Sequence, residues 1–378
     1  MYIANGGAAK TVILNQCRFY DNRLTFQGTG TVYGGGLYAN SGNVFLTNCE
    51  FIGNALHNEN TNTGATSAMY GGGLSMAGVS TGSVTLCLFR DNYGLAVNVA
   101  TNRNRFYGGG MHSGRASLMI SHCVFENNSL NGGSGSTAEV WGGGANVQAS
   151  NTANIFNQCR FINNSVSNST NAHGGAFGIG QGGCIGRFIN CYFYGNSSTL
   201  AAGGHVFGAP NWGFGSINFR HCTFDSNGSG NNLFYVNNNA AASHFFSNCI
   251  FTNYAGQTAL NSARADQTFF INSTLFDDDG SLGTETGATG IYTFTPTPLA
   301  APYLTTALTL VAQDPHLDAP GAAGAAAVDL CPPVSPEVGD IDTPVGVYTV
   351  RPLNGGNVDA GCDELGWVPV TVSAFAIE

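Results

Sequence analysis

The chain is 378 residues long, 9% charged and 43% apolar, with 54 glycines and a formal net charge of −10. An apolar share that large excludes a disordered chain, and no run of 18 apolar residues is present to span a membrane as a helix. Residues 1–250 carry 7 acids and 10 bases, and residues 251–378 carry 15 acids and 2 bases, so the charge lies at the C-terminal end and no basic stripe marks a nucleic-acid footprint.

The first segment, "MYIANGGAAKTVILNQC", has no cationic region followed by an apolar one, so no signal peptide is visible. It reads as the middle of a repeat, with Met1 aligned on Met111 of "GGGMHSG", which leads us to expect a chain that begins inside a coil. The repeat itself starts at "CRFYDN" (17–22) and recurs as "CEFIGN" (49–54), "CLFRDN" (87–92), "CVFENN" (123–128), "CRFINN" (159–164), "CYFYGN" (191–196) and "CTFDSN" (222–227). A decayed "CIFTNY" (249–254) and "TLFDDD" (274–279) follow, giving nine rungs spaced 32, 38, 36, 36, 32, 31, 27 and 25 residues apart.

Before each Cys stands an apolar pair two residues apart, such as Val12 and Leu14 or Val44 and Leu46, which is the strand period. The step from the pair to the Cys is three, so the parity flips once, as it does where two strands meet at a bend. The bend residues are Gln16, Asn48, Leu86, His122, Gln158, Asn190, His221 and Asn248. Asn tolerates the left-handed backbone that such a bend needs, and Leu86 breaks the pattern. Between rungs stands a glycine run, "GGGL" (34–37), "GGGL" (71–74), "GGGM" (108–111), "GGGA" (142–145), "GGAF" (174–177) and "GGHV" (203–206), which opens a third strand.

Three short strands per turn predict an all-β, right-handed parallel β-helix over residues 1–290, closed by an irregular capping module over 291–378. Nine coils stacked at strand spacing span roughly 40 Å. Two inward ladders follow: Cys17, Cys49, Cys87, Cys123, Cys159, Cys191, Cys222 and Cys249, and Phe19, Phe51, Phe89, Phe125, Phe161, Phe193, Phe224 and Phe251. A single column points every thiol one way, whereas a tetrahedral metal site needs convergent ligands, so the cysteines read as packing. The segments between Asn and the glycine run are rich in Asn, Thr, Ser and Gly and are expected to be surface loops.

The FxxN and GG-small-apolar repeats resemble those of bacterial polymorphic membrane proteins. The elements "DP" (314–315), "SP" (335–336) and "VDAGCDE" (358–364) resemble the closing module of choice-of-anchor surface proteins, with Cys362 and Asp363 departing from that pattern. The resemblance implies an extracellular or cell-surface location in a bacterium and a role in attachment or in a surface fibre.

The outward positions of the glycine-run strand, Tyr38, Ser75, His112 and Asn146, are the candidate ligand-binding residues. Polysaccharide cleavage calls for paired carboxylates, or a carboxylate with a basic residue and often Ca²⁺, on that face, and these positions supply no Asp, Glu, Lys or Arg, so the expected function is non-enzymatic, with a polysaccharide-binding or polysaccharide-cleaving β-helix enzyme as the alternative. Tyr33, Tyr70, Tyr107 and Trp141, each directly before a glycine run, read as a structural stack. Cys331 and Cys362 are a candidate disulfide, and Asp277, Asp279 and Glu285 a candidate Ca²⁺ loop in a chain otherwise expected to need no cofactor. Six N-x-S/T sequons, from Asn127 to Asn272, are near chance in so Asn-rich a chain. The alternating tail, residues 366–378, and the open end of the helix are the candidate surfaces for a homo-oligomer or fibre, and glycans or a neighbouring cell surface are the other expected partners.

Overall fold

In the computed structural model, the described residues are 1–277, 291–295 and 304–305, apart from 5–9, 61–65, 98–102, 115–116, 134–137, 149–152, 181–183, 201–202, 210–214, 229–231, 238–240, 255–256 and 273. The candidate disulfide Cys331–Cys362, Asp279 and Glu285 of the acidic loop, and the tail 366–378 lie outside them, as does the side chain of Asp277.

Every described element is a strand, and every strand pairing is parallel with a partner one coil away. The glycine-run sheet has nine strands, from Tyr2–Ile3 to Thr258–Ser262. The apolar-pair sheet has ten, from Thr11–Asn15 to Ile291–Thr295, and the FxxN sheet ten, from Arg18–Tyr20 to Leu304–Thr305. This is a parallel β-helix, and its stack continues past residue 290. Tyr2 pairs with Tyr38, which sets Met1 one residue ahead of the column, in line with Met111.

The bend before each Cys is left-handed at all eight positions, with φ between 49° and 55°. Leu86 obeys the rule its side chain disfavours, at φ 53°. A branched side chain in that conformation costs about 1–2 kcal/mol, so Leu86→Asn is expected to raise stability by about 1 kcal/mol. A lower urea midpoint for this variant would contradict the strain assigned to that bend.

Past the bend, each thiol donates to the carbonyl two residues earlier, as in Cys123 Sγ to Ser121 O at 3.3 Å and Cys191 Sγ to Ile189 O at 3.3 Å. Cys49 to Cys249 are buried and Cys17, in the first coil, is half-buried. All nine described cysteines are free thiols. The phenylalanines stack ring on ring from Phe19 to Phe276, with centroids 4.6–5.1 Å apart. A second column, Phe156, Phe188, Phe219 and Phe246, rises from the apolar-pair sheet and meets the first edge-on. Offset and edge-to-face rings at these separations are favoured beyond the area they bury.

The FxxN asparagines form a third ladder. Asn54 Nδ2 donates to Phe19 O at 2.7 Å and to Asn92 Oδ1 at 2.9 Å, and the same pair of bonds recurs at Asn92, Asn128, Asn164 and Asn196. A second left-handed bend precedes each ladder asparagine from Asn22 to Asn227, at Asp21, Gly53, Asp91, Asn127, Asn163, Gly195 and Ser226.

The inserts differ from the expectation of surface loops. Those of the first six coils return as two further sheets. Six strands follow the ladder asparagine, from Arg23–Phe26 to Ser197–Ser198, and five precede the glycine run, from Gly30–Tyr33 to Asn171–His173. The two sheets enclose a core of their own, formed by Leu56, Met69, Phe106, Leu130, Val140 and Val166. Phe106 fits because the Leu56–Leu130 column holds Gly94, where a Cβ would lie 2.6 Å from the Phe106 ring. The glycine runs serve the junction between lobe and helix. Gly71 stands at φ 72°, and a Cβ on Gly73 would lie 2.7 Å from Gly110 O of the next coil.

Candidate functional site

The outward column of the glycine-run sheet runs Tyr38, Ser75, His112, Asn146 in register, as the repeat requires. It is not exposed. Ser75 is 0%, His112 2% and Asn146 1% accessible, and Tyr38 is half-buried. The cause is the second lobe, whose pre-glycine strands end in Tyr33, Tyr70, Tyr107, Trp141 and His173. Tyr33 stacks on Tyr70 at 5.0 Å and Tyr70 on Tyr107 at 4.8 Å. Tyr33 lies 4.6 Å from Tyr38, and Tyr70 lies 4.5 Å from His112. The aromatic stack expected from the sequence is thus the lid over the column expected to be open.

Beneath it, Ser75 Oγ and His112 Nδ1 are 3.3 Å apart, and Asn146 Nδ2 donates to Gly178 O at 3.1 Å. A Ser–His contact is the start of a nucleophile–base arrangement, but a substrate has no approach to this one. Desolvation lowers the His112 pKa to about 3 and raises the Tyr70 phenol to about 12, so at neutral pH both are uncharged. These residues therefore act as a buried polar seam between helix and lobe. Among the described residues no group of three or more His, Cys, Asp or Glu is placed to hold a metal ion.

The exposed candidate is the outer face of the apolar-pair sheet. Its central column reads Ile13, Phe45, Ser83, Met119, Ile155, Arg187, Asn218, Phe245, Phe270, Thr293. Ile13 is 69%, Met119 44%, Phe245 39% and Phe270 38% accessible. The column on one side holds Thr11, Asn43, Thr81, Ser117, Ser216, Ser243 and Thr268 with Ile185 and Ile291, and that on the other Asn15, Thr47, Thr85, Ser121, Asn157, Ser247 and Asn272 with Ile189 and Arg220. Hydroxyls bond along the column, as Thr85 Oγ1 and Ser121 Oγ do at 3.2 Å. The charges of these coils stand on the neighbouring FxxN face instead, where Arg18, Glu50, Arg90, Glu126 and Arg160 occupy outward positions and Arg18 pairs with Glu50 at 3.5 Å. The sequence holds the signal for this face: the residue between the two members of each apolar pair is repeatedly apolar too.

Helix, lobe and open face together define the class, a parallel β-helix with a side lobe and one charge-poor outer face. No family model, curated protein or solved structure matches the chain. Among the described residues no helix is long and apolar enough to cross a membrane.

Proposed function

We propose that this protein is a non-enzymatic, extracellular surface protein of a bacterium that works by attachment, in the manner of an adhesin. The observation that carries the reading is the outer face of the apolar-pair sheet: a solvent-facing central column in which six of ten residues are apolar, flanked mainly by hydroxyl and amide side chains. Contiguous apolar surface rimmed by polar groups is the mark of an interaction site, and a stack of coils in continuous register keeps such a face rigid. His112, the one histidine on the glycine-run strands, is buried, and those strands carry no Asp, Glu, Lys or Arg, which supports a binding role over a catalytic one.

The test is retention of purified protein on cells and on polysaccharide-coated surfaces, with reducing ends and unsaturated products assayed in the same wells. Saturable retention without product release is the expected result. Product release from any polysaccharide would replace this reading with the enzymatic one.

A further inference from the structure

The outer face of the apolar-pair sheet changes character at its sixth to ninth strands, Cys184–Ile189, Gly215–Arg220, Ala242–Ser247 and Gln267–Asn272. Phe245 and Phe270 stack on each other there, 5.1 Å apart with planes 11° from parallel, and each leaves part of its ring open to solvent. Two residues earlier on the same strands, Ser243 and Thr268 line a groove of about 410 Å³, together with Ser216, Ile185 and Asp266. The Asp266 carboxylate at its rim is held by Arg264 at 2.6 and 2.8 Å and is neutralised by it.

The outward positions of the ten strands hold only two charges, and both are arginines beside this ring pair. Arg187 sits in register with Asn218, and Asn218 with Phe245, while Arg220 stands two residues on from Asn218 along the same strand. Both arginines are exposed.

We infer that this end of the face is a binding site for a carboxylated saccharide, such as a uronate unit of an acidic glycan. The apolar face of a pyranose ring packs against the exposed parts of the Phe245 and Phe270 rings. Its hydroxyls exchange hydrogen bonds with Ser216, Ser243 and Thr268. Its carboxylate meets the guanidiniums of Arg187 and Arg220, whose planar forks suit that group. Each element answers one feature of the ligand, and on an acidic chain two arginines set into a face otherwise free of charge select an anion. A neutral partner surface would need neither.

This inference rests on the attachment reading and names the ligand of the same face, so the test uses a soluble probe in place of a surface. Oligogalacturonate is titrated calorimetrically into the wild type, alongside the same oligosaccharide with its carboxyl groups reduced to alcohols. Binding of the acid form is expected, at least tenfold weaker for the reduced form, for Arg187→Gln combined with Arg220→Gln, and for Phe245→Ala combined with Phe270→Ala. All four side chains point outward, and an unchanged melting temperature confirms that each variant folds. Equal binding of acid and reduced forms, binding indifferent to both pairs of substitutions, or no binding by a wild type that still adheres to cells overturns the saccharide site, and the last of these leaves the attachment reading standing.

Discussion

Replacing Asn128 by alanine is expected to destabilise the protein by about 4 kcal/mol. The side chain is wholly buried and makes four hydrogen bonds. Its Oδ1 accepts from Asn92 N at 3.1 Å and Asn92 Nδ2 at 2.9 Å, and its Nδ2 donates to Phe89 O and Asn164 Oδ1, both at 2.9 Å. The variant removes partners from groups on the two neighbouring coils where water has no access, and each buried orphan costs about 1–3 kcal/mol. The adjacent residue supplies the control. Asn127 stands at φ 54° in the bend and contributes backbone shape, so Asn127→Gly is expected to change stability by less than about 1 kcal/mol. Equal effects from the two variants, read from urea denaturation, would mean that the ladder does not hold the coils in register.

The second large effect is loss of stability in mild acid. His112, His173 and His244 are buried, and desolvation lowers their pKa values to about 3, 4 and 4. The unfolded chain protonates them near 6.5, so between 6.5 and 4 the unfolded state binds more protons than the folded one. Stability from these residues is therefore complete above about pH 7 and falls as pH drops through 6.5 toward the folded values. At pH 4.5 each withheld proton is worth about 2–3 kcal/mol, and the three together exceed any single substitution considered above. A urea midpoint that falls steadily from pH 7 to pH 5, where most carboxylates remain ionised, is the expected result. A flat profile across that window would contradict the burial of these imidazoles, and His112→Asn should shallow the slope.

Period and parity carried the helix itself into view, because bend, inward Cys and inward Phe are local and recur together in eight successive rungs. Leu86 shows how strong that constraint is, since it takes the left-handed bend against its own preference. The second bend escaped notice because Asp21, Gly53, Asn127 and Ser226 share backbone permissiveness more than composition. The second lobe escaped because its strands begin at different distances from their rungs. A usable signal was present one residue before the aromatic column, in Val32, Met69, Phe106 and Val140, which read as one face of a strand. The burial of His112 could not be read from its own strand. Alternation says which side a residue faces, and only the return of a distant segment decides whether that side is wet.

The most direct test of the account compares two faces of one rod in a single adherence assay. Phe45→Asp combined with Met119→Asp places charge on the open face of the apolar-pair sheet. Leu88→Asp combined with Val124→Asp does the same on the outer face of the FxxN sheet, where charges already stand. With both proteins shown to fold by circular dichroism, the account predicts that retention on cells and polysaccharide falls at least tenfold for the first pair and stays near wild type for the second. Retention unchanged in the first pair, or lost equally in both, would contradict the assignment of attachment to this face.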